Sequence, residues 1–400
     1  MTPLFIVLRS LRQHLLSTVV TALSIALAGG LLLSVWVVKT QAQQTFTQVN
    51  TGFDAVLGAR GSKLQLVLNA IFHLEASPGN VAYADYEFIK THPLVKRAIP
   101  IAVGDNLRGF RIVGTLPELF TDVEYAAGHK FALADGRLWS DDAKEAVLGN
   151  FAAHELGLKV GDTFHPFHGL SYDPKNQHAD TYVVTGVLAA SNTPADKVVW
   201  IPLHGLQTMA GHDAKAATDV SAVLIQLRSP TAGFMLDLMY NKQGNRLTFA
   251  YPIGAIMAEL FGKIGWFDQV LTLIAYLVAL VASAGVLVAI YNSMSARQRD
   301  IAILRALGAR RRTIFGVIVL EASVIGALGM IAAFAVYAVI VAGVATIIQA
   351  QTGVRLDVLI SNPVMAWAPL GMIALCALGG LLPAWKAYRT DVAAHLAPIS

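Results

Sequence analysis

Six of the eleven histidines in this 400-residue chain fall between positions 154 and 212. His165-Pro-Phe-His168 sets two imidazoles at His-x-x-His spacing, His178 follows ten residues later with Asp180 close by, and His154 is followed by Glu155. Imidazole nitrogen is a good ligand for zinc and similar divalent ions, so His154, His165, His168 and His178 form a candidate metal set. Their spacing matches no closed four-ligand motif, and Tyr172-Asp-Pro-Lys-Asn-Gln-His178 reads as a loop. A histidine-rich surface without metal therefore accounts for the same residues.

A second chemical group is Glu321, the only charge in residues 313–351. An ionisable side chain in so apolar a run faces the protein interior and finds a partner there. A proton or metal relay would need further acids or histidines in the apolar runs, and none occurs. A structural pair with a basic residue at the near end of the run fits better. No catalytic residues are expected. Gly-x-Ser-x-Gly and His-Glu-x-x-His are missing, and no Gly-x-x-x-x-Gly-Lys-Ser/Thr occurs. Gly58-Ala-Arg-Gly-Ser62 lacks both the spacing and the lysine for cradling phosphate, so the chain is expected to be non-catalytic and to bind no cofactor of its own apart from the zinc considered above.

The third group is a docking surface. Residues 297–312 carry six arginines and one acid, with a long apolar run on either side. Ile301, Leu304 and Leu307, with Ile303 close by, recur at helical spacing on one face, and Gly308 is a helix-stop signal. Apolar anchors with a charged rim are the anatomy of an interface: Ile301, Ile303, Leu304 and Leu307 would enter a partner's cleft, and Arg297, Arg299 and Arg305 would orient the segment. A basic loop that merely fixes topology would explain the arginines but not the apolar stripe.

The elements that carry these groups follow from composition. The chain is 55% hydrophobic and 14% charged, against roughly a quarter charged in soluble proteins, which marks an integral membrane protein. Residues 1–14 suit an interfacial amphipathic helix with Arg9 and Arg12 interleaved. Residues 15–38, 270–294, 313–349 and 363–384 read as four transmembrane helices, each about long enough for a ~30 Å hydrocarbon core. The third apolar run is overlong, so it either continues beyond the membrane or breaks near Gly343. A cleaved signal peptide would need a small-x-small site after the first run, and Lys39-Thr-Gln-Ala-Gln-Gln is a poor one. Segments flanking the spans on one side hold 10 basic and 2 acidic residues, whereas residues 39–266 hold 19 basic and 21 acidic. Positive charge stays inside. Both termini, the tail 385–400 and the helix at 295–312 are therefore expected in the cytoplasm, and residues 39–266 outside. The basicity is topological and gives no support to nucleic-acid binding. The single cysteine, Cys376, allows no intrachain disulfide.

Residues 39–266 read as a mixed α+β extracytoplasmic domain inserted between the first and second spans. Expected strands lie at 54–57, 109–114, 146–148, 182–188, 198–201 and 222–227, and expected helices at 84–92, 151–156, 203–209 and 232–240. Residues 41–50 and 253–265 suit helical stalks that prolong the first and second spans. Gly326, Gly329, Gly379 and Gly380 suit close helix packing in lipid or a dimer face.

Taken together, these features resemble the superfamily of MacB-, LolC- and FtsX-like permeases, which work with ATP-binding-cassette (ABC) subunits. The resemblance rests on Leu8-Arg-Ser-Leu-Arg12, on Phe131-Ala-Leu-Ala-Asp-Gly-Arg137, Glu145-Ala-Val-Leu-Gly149 and Leu156-Gly-Leu-Lys-Val-Gly-Asp-Thr163, and on the arginine-rich Leu304-Arg-Ala-Leu-Gly-Ala309. Glu321-Ala-Ser323 with Gly326 and Gly329, and Leu382-Pro-Ala-Trp-Lys-Ala-Tyr-Arg389, complete it. Asp300 stands where the family often has Glu. The resemblance implies an inner-membrane homodimer with two copies of a separate ATPase that holds the ATP and Mg. It also implies docking through the arginine-rich helix, and stalks that carry ATPase closure to a MacB-type periplasmic domain for export or extraction of a substrate, with a periplasmic accessory protein or lipoprotein as a further partner. An FtsX-like regulator of a cell-wall hydrolase is the alternative, and a zinc- or metallophore-linked ABC system a third.

Overall fold

The computed structural model describes residues 3–47, 52–140, 143–209, 218–296, 308–356 and 362–389. The chain divides into two compact units, one of residues 1–41, 264–345 and 357–400, the other of residues 42–263 and 346–356.

The first unit is helical. A short helix, Pro3–Gln13, precedes the first long helix, Leu15–Thr47. The second long helix runs Ile253–Ala296 and the third Arg311–Thr352. A fourth apolar segment is formed by Val364–Gly379 and, after a break at Gly380, Leu381–Arg389. Among the described residues, four helices are long and apolar enough to cross a membrane: Leu15–Phe46, Ile253–Asn292, Arg311–Thr352 and Val364–Lys386. Each helix is prolonged where its sequence lacks a breaker. The first continues past the apolar run to Thr47, and the third runs through Gly343 without a break, ending only before Gly353, whose φ is +77°.

This unit has its own apolar centre, containing Val7, Leu11, Ile25, Ala28, Ile318, Ala322, Ile325, Met330, Ala333, Met372 and Cys376. Large apolar side chains such as Leu16, Val281, Ile331, Val339 and Trp367 instead point outward, which suits a surface solvated by lipid tails. Hydroxyls inside the helices bond back to the preceding turn, as Thr21 does to the Ser17 carbonyl (2.8 Å) and Ser34 to that of Gly30 (2.7 Å).

The second unit is built on a mixed sheet of eleven strands: β1 Ala55–Ala59, β2 Val95–Leu107, β3 Phe110–Thr115, β6 Leu133–Gly136, β7 Glu145–Leu148, β8 Thr163–Phe164, β9 Phe167–His168, β10 Tyr182–Leu188, β11 Val199–Pro202, β12 Ala222–Leu227 and β13 Leu247–Ala250. β4 Glu124–Ala126 and β5 His129–Lys130 form a separate pair. The main order is β13-β1-β12-β2-β3-β11-β7-β10-β6, with β8 added to β10 and β9 to β2. β3–β11 and β7–β10 are parallel pairs, and the other pairings are antiparallel.

Strand side chains alternate between two buried apolar layers. In β12, Val223, Ile225 and Leu227 enter one layer while Ala222 and Leu224 enter the other; in β11, Val199 and Ile201 oppose Trp200. Burial on both faces explains why these strands read as continuous apolar runs. β10 and β12 take the expected bounds, and the expected helices at 84–92 and 151–156 form as Tyr83–Lys90 and Asn150–Leu156. The expected helix 232–240 begins at Pro230 and changes to a wider π turn from Leu238 to Gln243. The sequence reading missed β2, the longest strand, because Lys96, Arg97, Pro100 and Gly104 all interrupt its apolar pattern.

Candidate functional site

The motif residues of the second unit make structural contacts. Arg137 grips Glu145 with two hydrogen bonds, Nη1 to Oε2 at 2.8 Å and Nη2 to Oε1 at 2.6 Å, and the Ser140 amide donates to the same carboxylate at 2.8 Å. Those bonds hold the Glu145 carboxyl below the ordinary carboxylate range. Gly149 passes so close to the backbone of Asp196 that a Cβ there would lie 2.4 Å from its carbonyl oxygen. Gly157 caps the helix Asn150–Leu156 in the left-handed conformation. Asp162 accepts from the Lys159 amide (2.7 Å) and closes the turn into β8.

Two of the four candidate metal histidines converge. A register shift between Val103 and Asp105 makes a bulge in β2 and sets Asp105 opposite Ile112 on the face of the first apolar layer. Across the β2–β9 pairing, Asp105 lies directly opposite His168. His178 reaches the same point from the loop before β10, tied there by its amide to the Pro166 carbonyl (2.9 Å) and by a bridge between Phe167 and Gln177. His178 Nε2 is 3.1 Å and His168 Nδ1 3.3 Å from Asp105 Oδ1. Asp105 is fully buried, His178 nearly so, and His168 is 59% exposed, so the cluster opens to water on one side. His154, 84% exposed, sits beside Glu155 (3.4 Å), and His165 turns Nδ1 to the Asp180 carbonyl (3.1 Å); neither belongs to the cluster. Asp105 was not legible as a ligand, because the bulge that aims it and the strand pairing that brings His168 to it are long-range features.

A cavity of about 160 Å³ in the same unit is lined by His73, Arg111, Leu170, Lys197 and Gln351 among others. Its basic groups are shielded. Burial, aided by the Arg111 charge, lowers the His73 imidazole to about 3, and burial with Arg111 also lowers the Lys197 ammonium. Lys197 donates to the Gln351 carbonyl (2.7 Å), Asn192 and Arg355 exchange hydrogen bonds of 2.7 and 3.4 Å, and Gly353 packs against Lys197. Residues 351–355, the end of the third long helix and the turn after it, are thereby held by the loop 191–197 of the same unit. That loop is itself fixed by the Asp196 carboxylate, which accepts from the Ser191 and Asn192 amides.

In the helical unit, Glu321 is 7% exposed and accepts a hydrogen bond from the Ser10 hydroxyl on the short N-terminal helix. Ser10 is a partner that the sequence pattern around Glu321 does not announce. Gly326, Gly329, Gly379 and Gly380 lie at contacts between helices of the same chain. A Cβ on each would meet Cys376, Ile25, Ser283 or Ala322, respectively, at 3.0, 2.6, 3.2 or 2.8 Å. Gly29 and Gly30 do the same against Met330 and Val336.

The docking residues Arg297, Arg299, Ile301, Ile303, Leu304, Arg305 and Leu307 lie outside the described residues. Directly after them, Gly308 takes a left-handed φ of +95°, and the third long helix starts at Arg311. Arg311 lies over the Tyr388 ring, and Arg312, Phe315, Trp385 and Tyr388 line an apolar hollow of about 370 Å³.

Comparison with known proteins adds three findings. A family model described as the MacB-like periplasmic core domain matches residues 18–233, and one described as the FtsX-like permease C-terminal domain matches residues 272–392. The macrolide export ATP-binding/permease protein MacB of Nitrobacter winogradskyi is 25% identical over 279 residues, which are 67% of this chain and 41% of that one. The chain thus spans less than half the length of the relative it matches. The solved periplasmic region of MacB from Actinobacillus actinomycetemcomitans aligns over 53% of this chain and 94% of that one at 10% identity, with a TM-score of 0.36, too slight a likeness to carry weight.

Proposed function

Because this chain belongs to the MacB-like and FtsX-like family of ABC transporter permeases, we propose that it couples ATP hydrolysis by a separate ATPase subunit to movement of its outer domain. The observation that carries this is the pair of family matches, which together take in most of the outer domain, all or part of each of the four span-length helices and the arginine-rich stretch.

In this reading two copies of the chain sit in a bacterial inner membrane with both termini cytoplasmic, each bound to one ATPase. Residues 297–307 dock in the ATPase. Closure of the ATPase dimer displaces that segment. The second helix leaves it toward Ile253, and the third begins at Arg311 and leads to the residues held by Lys197 and Asn192. Both helices are continuous and apolar, so each can move as a rod. The outer domain then changes its hold on a substrate or on a periplasmic accessory protein. Export is the activity named for the Nitrobacter relative, and export or extraction at the outer face is the class proposed here. A regulator of a cell-wall hydrolase has less support, since the outer part matches the MacB-type domain.

Purification of the tagged full-length chain from its host membrane tests this. An ABC ATPase should copurify in equal number, and the mass of the complex should correspond to two chains of each kind. A cell-wall hydrolase recovered with no ATPase would overturn the proposal.

A further inference from the structure

The convergence of Asp105, His168 and His178 stands apart from the permease reading, and we propose that it is a binding site for a divalent first-row cation, with zinc as the best-fitting ion. Three separate pieces of chain supply the ligand atoms: the bulged strand β2, strand β9 and the loop before β10. All three atoms lie within 4.8 Å of one another. The two nitrogen–oxygen separations, 3.1 and 3.3 Å, suit neighbouring ligands of a tetrahedral ion with bonds of about 2.0–2.1 Å.

Carboxylate–imidazole hydrogen bonds have similar lengths, so distance alone does not separate a metal site from a structural pair. Convergence does. Both imidazoles set a ring nitrogen beside the same oxygen, Asp105 Oδ1, so that three possible donor atoms from three pieces of chain lie together.

The site is also built in advance of any ligand. Asn106, fully buried beside Asp105, donates from Nδ2 to the carbonyls of Phe167 (3.3 Å), Gly169 (2.8 Å) and Ser171 (3.2 Å). Its Oδ1 accepts from the Gly109 amide at 3.0 Å, and the Gly169 amide donates to the Gly104 carbonyl at 3.0 Å. One asparagine therefore fastens the His168 loop to the strand that carries Asp105. A first shell held by such bonds needs little reorganisation to bind an ion.

Two imidazoles and one carboxylate favour zinc or its neighbours over calcium and magnesium, which prefer oxygen-only shells. Three ligands come from the described residues, and the exposed His168 marks the side from which an ion and its water enter.

Zinc titration of metal-stripped, full-length protein in detergent, read by competition with a chromophoric chelator, tests the site. Wild type should bind one zinc per chain at micromolar concentration or below, and cobalt(II) in its place should give the visible absorption of a tetrahedral centre. His168→Ala should weaken zinc binding by about tenfold or more, and His154→Ala should leave it unchanged. His168 is chosen because its exposure spares the fold, and equal melting temperatures of the metal-free proteins would confirm that. Absence of saturable binding to wild type, or a His168→Ala titration that superimposes on wild type, would show a structural hydrogen-bonded cluster only and overturn the proposal.

Discussion

Arg137 and Glu145 meet through two parallel hydrogen bonds, and this pair joins two sequence motifs that the linear chain leaves eight residues apart. It also has a pH signature. The Glu145 carboxyl titrates lower in the folded chain than in the unfolded one, so its contribution is complete above the unfolded value of about 4.3 and is lost as pH falls through the lower, folded value. Arg137→Ala should lower the melting temperature by the same small amount from pH 7 down to about 5, with the difference closing below about 4. Thermal unfolding across that range measures it; a difference that persists in strong acid would assign the effect to lost packing.

His73 gives a second acid-sensitive step in a different window. Its imidazole is lowered to about 3, so the folded chain keeps it neutral where the unfolded chain protonates it, below about 6.5. Stability from this group is fully present above that value and drains away toward pH 3, by up to about 1.4 kcal/mol per pH unit. His73→Asn tolerates the left-handed backbone (φ +55°) and cannot titrate there. The variant should show a flatter stability profile between pH 6.5 and about 4.5 in urea unfolding. Equal slopes for both proteins would exclude His73 as the source.

Helix packing in the apolar unit is set by small residues whose neighbours come from distant parts of the chain. A Cβ on Gly329 would lie 2.6 Å from the Ile25 Cβ and 3.0 Å from the Ala22 carbonyl. Gly329→Ala should therefore destabilise by about 1–3 kcal/mol. Gly371→Ala meets nothing within 4 Å and should be neutral or slightly stabilising. Thermal unfolding in detergent compares the two; similar behaviour would contradict this packing.

The long helices, the small-residue contacts and most central strands were legible because each is written in a local pattern. Val223, Ile225 and Leu227 alternate with Ala222 and Leu224 within six residues, and nothing between 15 and 47 breaks a helix. What escaped depends on residues far apart. Pro100 made β2 look interrupted, yet that strand lies mid-sheet with Pro100 opposite Val223. His168 and His178 carried a chemical signal of their own, while Asp105, between Gly104 and Asn106, carried none until the bulge and strand β9 gave it a direction. The Ser10 partner of Glu321 lies 311 positions away, and no periodicity connects them.

Coupling to an ATPase through the arginine-rich stretch is the central claim, and ATP hydrolysis by the reconstituted complex tests it most directly. Leu304→Glu places a charge among the proposed apolar anchors. The variant chain should insert in the membrane at wild-type level while stimulation of its partner ATPase falls to that of the ATPase alone. Stimulation of wild-type size in the Leu304→Glu complex would contradict docking through this segment.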